Sequence, residues 1–297
     1  MVDRDSFFGF HPIVNLLYFV SIIGFSMVFM HPVFLGISFI SSAIYGIYLY
    51  GKKSLMAMLF LLPMLLITAG LNPLFNHAGA TIIGFLPNGN PITLESTLFG
   101  IGSSVMLVTV IIWFACLNAV LTSDKIVYLF GRIIPALALI LSMSLRFVPR
   151  FIEQIKIIAN AQYGIGRDIR SGSIFSKAKN GIKILSIVIT WALENSIETA
   201  DSMSGRGYGL KGRTAFSIFK FDKRDGYAFL YILFCIIVVI TGAVSGVYRF
   251  RYFPTIQGEW TGGATIFIFI TYFTLAMMPI AINLKEDFVW RRLESKI

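Results

Sequence analysis

Thiol and metal chemistry have little to work with in this chain, whose 297 residues include only two cysteines and three histidines. Cys116 and Cys235 lie far apart inside apolar runs, which argues against a disulfide framework or a metal-ligand pattern and leaves both as packing thiols. His11, His31 and His77 are equally scattered and read as loop or interface residues, not ligands. Charge is scarce as well: Asp, Glu, Lys and Arg make up 13% of the chain, against about 25% in an ordinary soluble domain. The apolar runs hold no Asp or Glu that reads as catalytic. The first residues, MVDRDSFFGFHP, lack the basic, apolar, small-residue layout of a cleaved signal, so the first apolar run reads as a retained span.

Hydrophobic residues are abundant, at 56%. A helix crossing a bilayer needs about 20 apolar residues, and runs near that length occur at 13–30, 33–50, 55–71, 97–121, 226–247 and 264–284. His31-Pro32 leaves only a short turn between the first two, which makes them antiparallel neighbours. Pro63 and Pro279 fall inside spans, where neighbouring helices can satisfy the freed carbonyls. A further stretch, Ile133 to Leu145, is short and ends at Arg146, and reads as a partly immersed helix. The basic turn at Lys52-Lys53 and the basic, mixed tail from Lys285 belong inside, whereas the Lys- and Arg-free loop 72–96 belongs outside. Six spans with both termini cytoplasmic satisfy all three. Arg249 and Arg251 on the outer side are a mild exception.

Most of the chain's positive charge sits in one place. Residues 124–225 hold 16 Lys and Arg against 8 Asp and Glu, a net +8 of the chain's +10. Helical periodicity persists through this segment. Phe151, Ile152, Ile155, Ile158 and Ala159 share one apolar face between Pro149 and Gln162, and a Gly/Arg break follows at 163–167. A second helix is predicted from about Phe175 to Ser204, nearly all apolar from Ile182 to Leu193, with Glu194, Glu198 and Asp201 at helical spacing near its end. The chain thus divides into N-terminal transmembrane helices at 1–123, a basic cytoplasmic region at 124–225, and a C-terminal helix pair and tail at 226–297.

The stretch SMSGRGYGLKGRT, Ser202 to Thr214, contains G-x-G-x-x-G at Gly207, Gly209 and Gly212. A dinucleotide fingerprint needs a strand before the glycines and a helix opening after them. Here a long helix comes first. Its C-terminus carries about half a negative charge, which repels phosphate and favours an arginine. No Walker lysine pattern occurs elsewhere. Arg206 is instead presented at a helix end that Gly207 stops in the left-handed conformation, as a fork of donors suited to a carboxylate on another protein. An ordinary basic loop with helix-stopping glycines fits the same residues.

The run Ser202-Met203-Ser204-Gly205-Arg206-Gly207-Tyr208-Gly209 resembles the second Ala-Arg-Gly motif of the T components of energy-coupling factor transporters, a family that includes the cobalt-transporter permease subunit. The preceding Glu198-Thr199-Ala200-Asp201 is similar to that family's acidic turn, and Ser144-Leu145-Arg146-Phe147-Val148-Pro149 to the start of its first coupling helix. Ala161-Gln162 before a Gly/Arg break resembles the first motif, and His11-Pro12 before an apolar helix fits the family's start. The resemblance covers essentially the whole chain and is densest from 144 to 214. Two departures stand out. Gly205 replaces an alanine, and aligning Ala161-Gln162 puts Ile165 where the first motif's arginine belongs, with Arg167 two positions later. Arg167 is the favoured substitute, after a local shift permitted by the added Gly164.

The resemblance implies an all-α integral membrane protein of about six transmembrane helices, with two long amphipathic coupling helices inserted between spans four and five. It implies a scaffold in the prokaryotic plasma membrane that is not itself an enzyme and binds no cofactor, ATP being bound by two partner ABC ATPase subunits. A small substrate-binding membrane S component is the further partner, besides the bilayer, and nucleic acid is not one. The implied ATPase-docking motif is Gly205, Arg206 and Gly207, and the first docking motif is Gly166 and Arg167. Ile184, Leu185, Val188 and Trp191 are the implied S-component face. The cargo, a vitamin or a transition metal, is not named by these residues. Two other classes are alternatives: an integral membrane enzyme acting on lipid phosphates, for which no acid–base cluster is visible, and a secondary transporter or channel. For the latter the spans offer only Asn15, Asn118 and Asn283, residues that usually serve helix packing.

Overall fold

Each of the first two long helices starts on a His-Pro dipeptide. In the computed structural model, which describes residues 5–167, 169, 173–208, 219–258, 260 and 262–294 (the side chains of 132, 133 and 135–138 excepted), α1 spans Pro12–Val28 and α2 spans Pro32–Tyr50. Proline suits the first helical position because its missing N–H would have no intrahelical partner there. The histidine before it supplies the cap. His11 Nδ1 accepts from the Ile13 N–H at 3.3 Å and His31 Nδ1 from the Val33 N–H at 3.2 Å. Both histidines are buried, so their place is inside the helix packing and not in open loops.

Gly51, at φ +58°, breaks the chain between α2 and α3, Lys52–Phe75. α3 is apolar on every side and largely uncovered, with Phe60 at 83% and Phe75 at 81% exposure, the pattern of a helix solvated by lipid. The segment read as an outer loop contains an antiparallel hairpin, β1 at Ile82–Phe85 and β2 at Pro91–Thr93. Thr93 then caps α4, Leu94–Val120, its Oγ1 accepting from the Ser96 N–H at 3.3 Å. Three helices follow: α5 at Ser123–Ile133, α6 at Pro135–Gly164 and α7 at Ile174–Gly205. Beyond them come α8 at Lys223–Ser245, the short strands β3 at Phe250–Arg251 and β4 at Gln257–Gly258, α9 at Gly263–Ala276 and α10 at Met278–Glu294.

Among the described residues, α2, α3, α4 and α8 are each long and apolar enough to cross a bilayer, and α9 with α10 makes a fifth such element bent by 54°. α1, at 17 residues, is a shorter apolar helix. The protein is an all-α, multi-pass membrane protein. The sequence predicts one unbroken span at 264–284, whereas the helix breaks at Met277. Pro279 has no N–H to give the carbonyl of Leu275, and its ring crowds that carbonyl.

Two compact units result, one from residues 1–122 with 219–297 and one from 123–218. In the first, Trp113 of α4 is fully buried and donates from Nε1 to Ser38 Oγ at 2.9 Å, and Ser38 shares a hydrogen bond with Ser26. Tyr18 closes the same core by donating to the Ala276 carbonyl at 3.0 Å. Asp5, which the apolar runs do not include, is buried in this unit. Its carboxylate accepts from the Phe7 N–H at 3.2 Å, the Tyr45 hydroxyl at 2.8 Å and Asn283 Nδ2 at 2.6 Å. The amide of Asn283 in turn accepts from the Ser6 N–H at 2.7 Å. One carboxylate thereby ties the start of the chain to α2 and α10. Asp225, also buried, accepts from the His11 N–H at 3.0 Å and the Asp222 N–H at 3.0 Å, linking the start of α8 to the start of α1.

In the second unit, α6 runs unbroken through Pro149, where the sequence separates a short immersed helix from a later one. Leu141, Leu145, Val148, Ile152 and Ile155 keep one helical phase across the proline, so a single apolar stripe spans both predicted pieces.

Candidate functional site

The ends of α6 and α7 are built alike. α6 stops at Gly164, with Ile165 as its cap residue and Gly166 left-handed at φ +79°. Two hydrogen bonds close it: the Gly166 N–H to the Tyr163 carbonyl at 2.9 Å and the Arg167 N–H to the Gln162 carbonyl at 2.9 Å. α7 stops at Gly205, with Arg206 as its cap residue and Gly207 left-handed at φ +78°. Its closing bonds are the Gly207 N–H to the Ser204 carbonyl at 3.0 Å and the Tyr208 N–H to the Met203 carbonyl at 3.0 Å. This pair of bonds around a left-handed glycine is the Schellman cap, which satisfies carbonyls a helix end otherwise leaves open.

The shared cap fixes a register between the two ends. Gly164 matches Gly205, Ile165 matches Arg206, Gly166 matches Gly207 and Arg167 matches Tyr208. The first end therefore reaches the standard cap without the local shift that the sequence reading needed to bring Arg167 into the arginine position. Arg167 is exposed and its Nη1 lies 3.5 Å from Gln162 Oε1, back along its own helix. Arg206 is also exposed, and among the described residues its guanidinium forms no ion pair. Gly207 and Tyr208 belong to the cap, while Gly209 and Gly212 of the G-x-G-x-x-G string lie outside the described residues. What is described has a 32-residue helix ahead of Gly207, the reverse of a phosphate-binding turn.

The four residues assigned to one outward face of α7 are divided between two faces. Ile184 at 4% and Val188 at 7% exposure pack with Ile158 of α6, beside Ala159. Trp191 is half-buried, edge-on to Phe151 at 5.8 Å with the Arg150 guanidinium over its ring at 5.9 Å. Because Phe151 meets Trp191 while Ile158 meets Ile184 and Val188, the two helices cross in opposite sense. Leu185, at 55% exposure, points away from this contact and shares an open stripe with Ile182, Ile189 and Leu193. Sequence periodicity identified the helix as apolar but not which of its two apolar sides its neighbour covers. The heptad-like stripe on α6 is uncovered in the same way from Leu141 to Ile155.

A membrane protein whose second unit carries two long, identically capped amphipathic helices is the class defined by these observations. A family model described as CbiQ, cobalt transport protein, matches residues 9–216, more than half of the chain. The chain belongs to that family. Among its relatives, the energy-coupling factor transporter transmembrane protein EcfT of Lactobacillus helveticus is 34% identical over 98 residues, 33% of this chain and 35% of that protein. The EcfT of Acidaminococcus fermentans is 31% identical over 153 residues, 48% of this chain and 57% of that protein. An uncharacterized MG181 homolog of Mycoplasma pneumoniae is 29% identical over 178 residues, 56% of this chain and 41% of that protein. In each case the chain spans well under two thirds of the relative's length.

Proposed function

We propose that the chain is the transmembrane scaffold of an energy-coupling factor importer, holding two ABC ATPase subunits at the ends of α6 and α7 and a substrate-binding S component on their open apolar faces. The observation that carries this reading is the pair of matching caps, each of which presents a short exposed tip at the end of a rigid helix about 45 Å long. Membership of the cobalt transport family and the names of the EcfT relatives support it. The scaffold itself is not catalytic and takes no cofactor; nucleotide belongs to the ATPases. It is a multi-pass protein of the plasma membrane with both termini cytoplasmic, and its cargo is a vitamin or a transition-metal ion.

The chemistry of the parts fits those roles. Arg206 is a planar, permanently charged fork at a helix end, suited to a carboxylate in a groove. One such charged hydrogen-bonded contact is worth about 1.5–3 kcal/mol. Leu185 and its neighbours Ile182, Ile189 and Leu193 offer uncovered apolar surface to a membrane partner, while Ile184, Val188 and Trp191 brace them from the α6 side. When the ATPases move together on binding ATP, helices gripped at their tips must move with them, and the S component resting on those helices is reoriented.

Co-purification tests this directly. Tagged full-length protein is captured from membranes with its ATPase partners, as wild type and as Arg206→Glu, with membrane insertion checked separately. The proposal expects the variant to insert normally and to lose the ATPase held at the end of α7, together with the uptake that needs both subunits. Wild-type retention of the ATPases by Arg206→Glu, with uptake intact, contradicts it.

A further inference from the structure

Two helix ends with the same backbone differ only in what they display, and the display is not equivalent. At matching cap positions α6 carries Ile165 and α7 carries Arg206, and two positions back α6 carries Tyr163 where α7 carries Ser204. Tyr163 and Ile165 are exposed at 65% and 63%, so the tip of α6 is an uncovered, largely apolar knob. Arg167 does not restore the charge, because it sits at the position of Tyr208, beyond the left-handed glycine, and reaches back toward Gln162.

We infer that the two tips fit grooves of different chemistry: an apolar groove receives the α6 end through Ile165, and an acidic groove receives the α7 end through Arg206. The two ATPase subunits therefore present different docking surfaces, and the scaffold fixes which subunit sits at which helix. This inference rests on the docking reading above. Charge complementarity makes the assignment selective in both directions. A carboxylate set against Ile165 is desolvated without a partner, and a guanidinium pushed into an apolar groove is buried unpaired. Each wrong pairing is penalised, which is how a surface discriminates between similar partners.

The experiment uses full-length tagged protein co-expressed with its two ATPase chains and captured in detergent, with the amount of each ATPase quantified. Arg167→Ala should retain both ATPases at the wild-type level. Ile165→Arg should lose about tenfold or more of one ATPase, and Arg206→Ile should lose about tenfold or more of the other. Salt separates the two contacts independently of those losses. In Arg206→Ile the remaining capture should be unchanged when salt rises from about 0.05 M to about 0.5 M, whereas in Ile165→Arg the remaining capture should weaken. Overturning results are full or improved capture with Ile165→Arg, or a loss with Arg167→Ala equal to that with Arg206→Ile. Either shows an acidic groove at the α6 end while leaving the docking reading intact. A wild-type protein that captures no ATPase removes both.

Discussion

Gly205 and Gly207 stand two residues apart and should respond to the same substitution with opposite sign. A Cβ added at Gly205 meets nothing within 4 Å, so Gly205→Ala should gain up to about 1 kcal/mol of helix propensity. Gly207 holds φ +78°, where a side chain costs about 1–2 kcal/mol, so Gly207→Ala should fray the end of α7. Limited proteolysis near the tip reads both: cleavage slower than wild type for the first and faster for the second. Asp5 makes a second prediction. Its removal in Asp5→Ala leaves the Tyr45 hydroxyl and the Asn283 amide without their acceptor in the core, and should cost about 3 kcal/mol, seen as a lowered unfolding midpoint in detergent. No local signal in the sequence marks Asp5, because its partner Asn283 is 278 residues away. The glycine that stops α7, by contrast, could be read directly from the residues around it.

The helices are where periodicity carried furthest. The predicted runs at 33–50 and 226–247 fall on α2 and α8, and the helix predicted from Phe175 to Ser204 is α7 at Ile174–Gly205. Prolines were harder to read, because whether one ends a helix depends on what surrounds it. Pro149 sits within an in-phase apolar stripe and α6 continues, whereas Pro279 coincides with a 54° bend. The side of α7 that is covered also depended on α6, and this yields a paired prediction. Val188→Asp puts a charge into the contact with Ile158 and should cost about 3 kcal/mol or more, separating α6 from α7. Leu185→Asp, on the open side, should leave that contact intact while reducing capture of a membrane partner. Spin labels on α6 and α7 measure the separation: it should widen and broaden in the first variant and match wild type in the second.

For the molecule as a whole, the apolar runs and the distribution of basic residues led to an all-α membrane protein, because a run of about 20 apolar residues spans a bilayer as a helix that satisfies its own backbone hydrogen bonds. The proposed orientation, argued from the basic residues, is open to measurement. The two native cysteines are buried, which leaves little background for thiol labelling in intact cells. A cysteine at Asn88, in the exposed turn between β1 and β2, should label from outside, and one at Ser204 only after permeabilisation. The reverse pattern contradicts the proposed topology and, with it, the docking of ATPases at the two tips. Docking itself is tested most directly by a photo-reactive residue at position 206, illuminated in native membranes, with position 88 as the control. The account predicts a crosslink from 206 to an ABC ATPase chain and none from 88. A residue at 206 that joins only lipid, or yields no more ATPase adduct than 88, contradicts it.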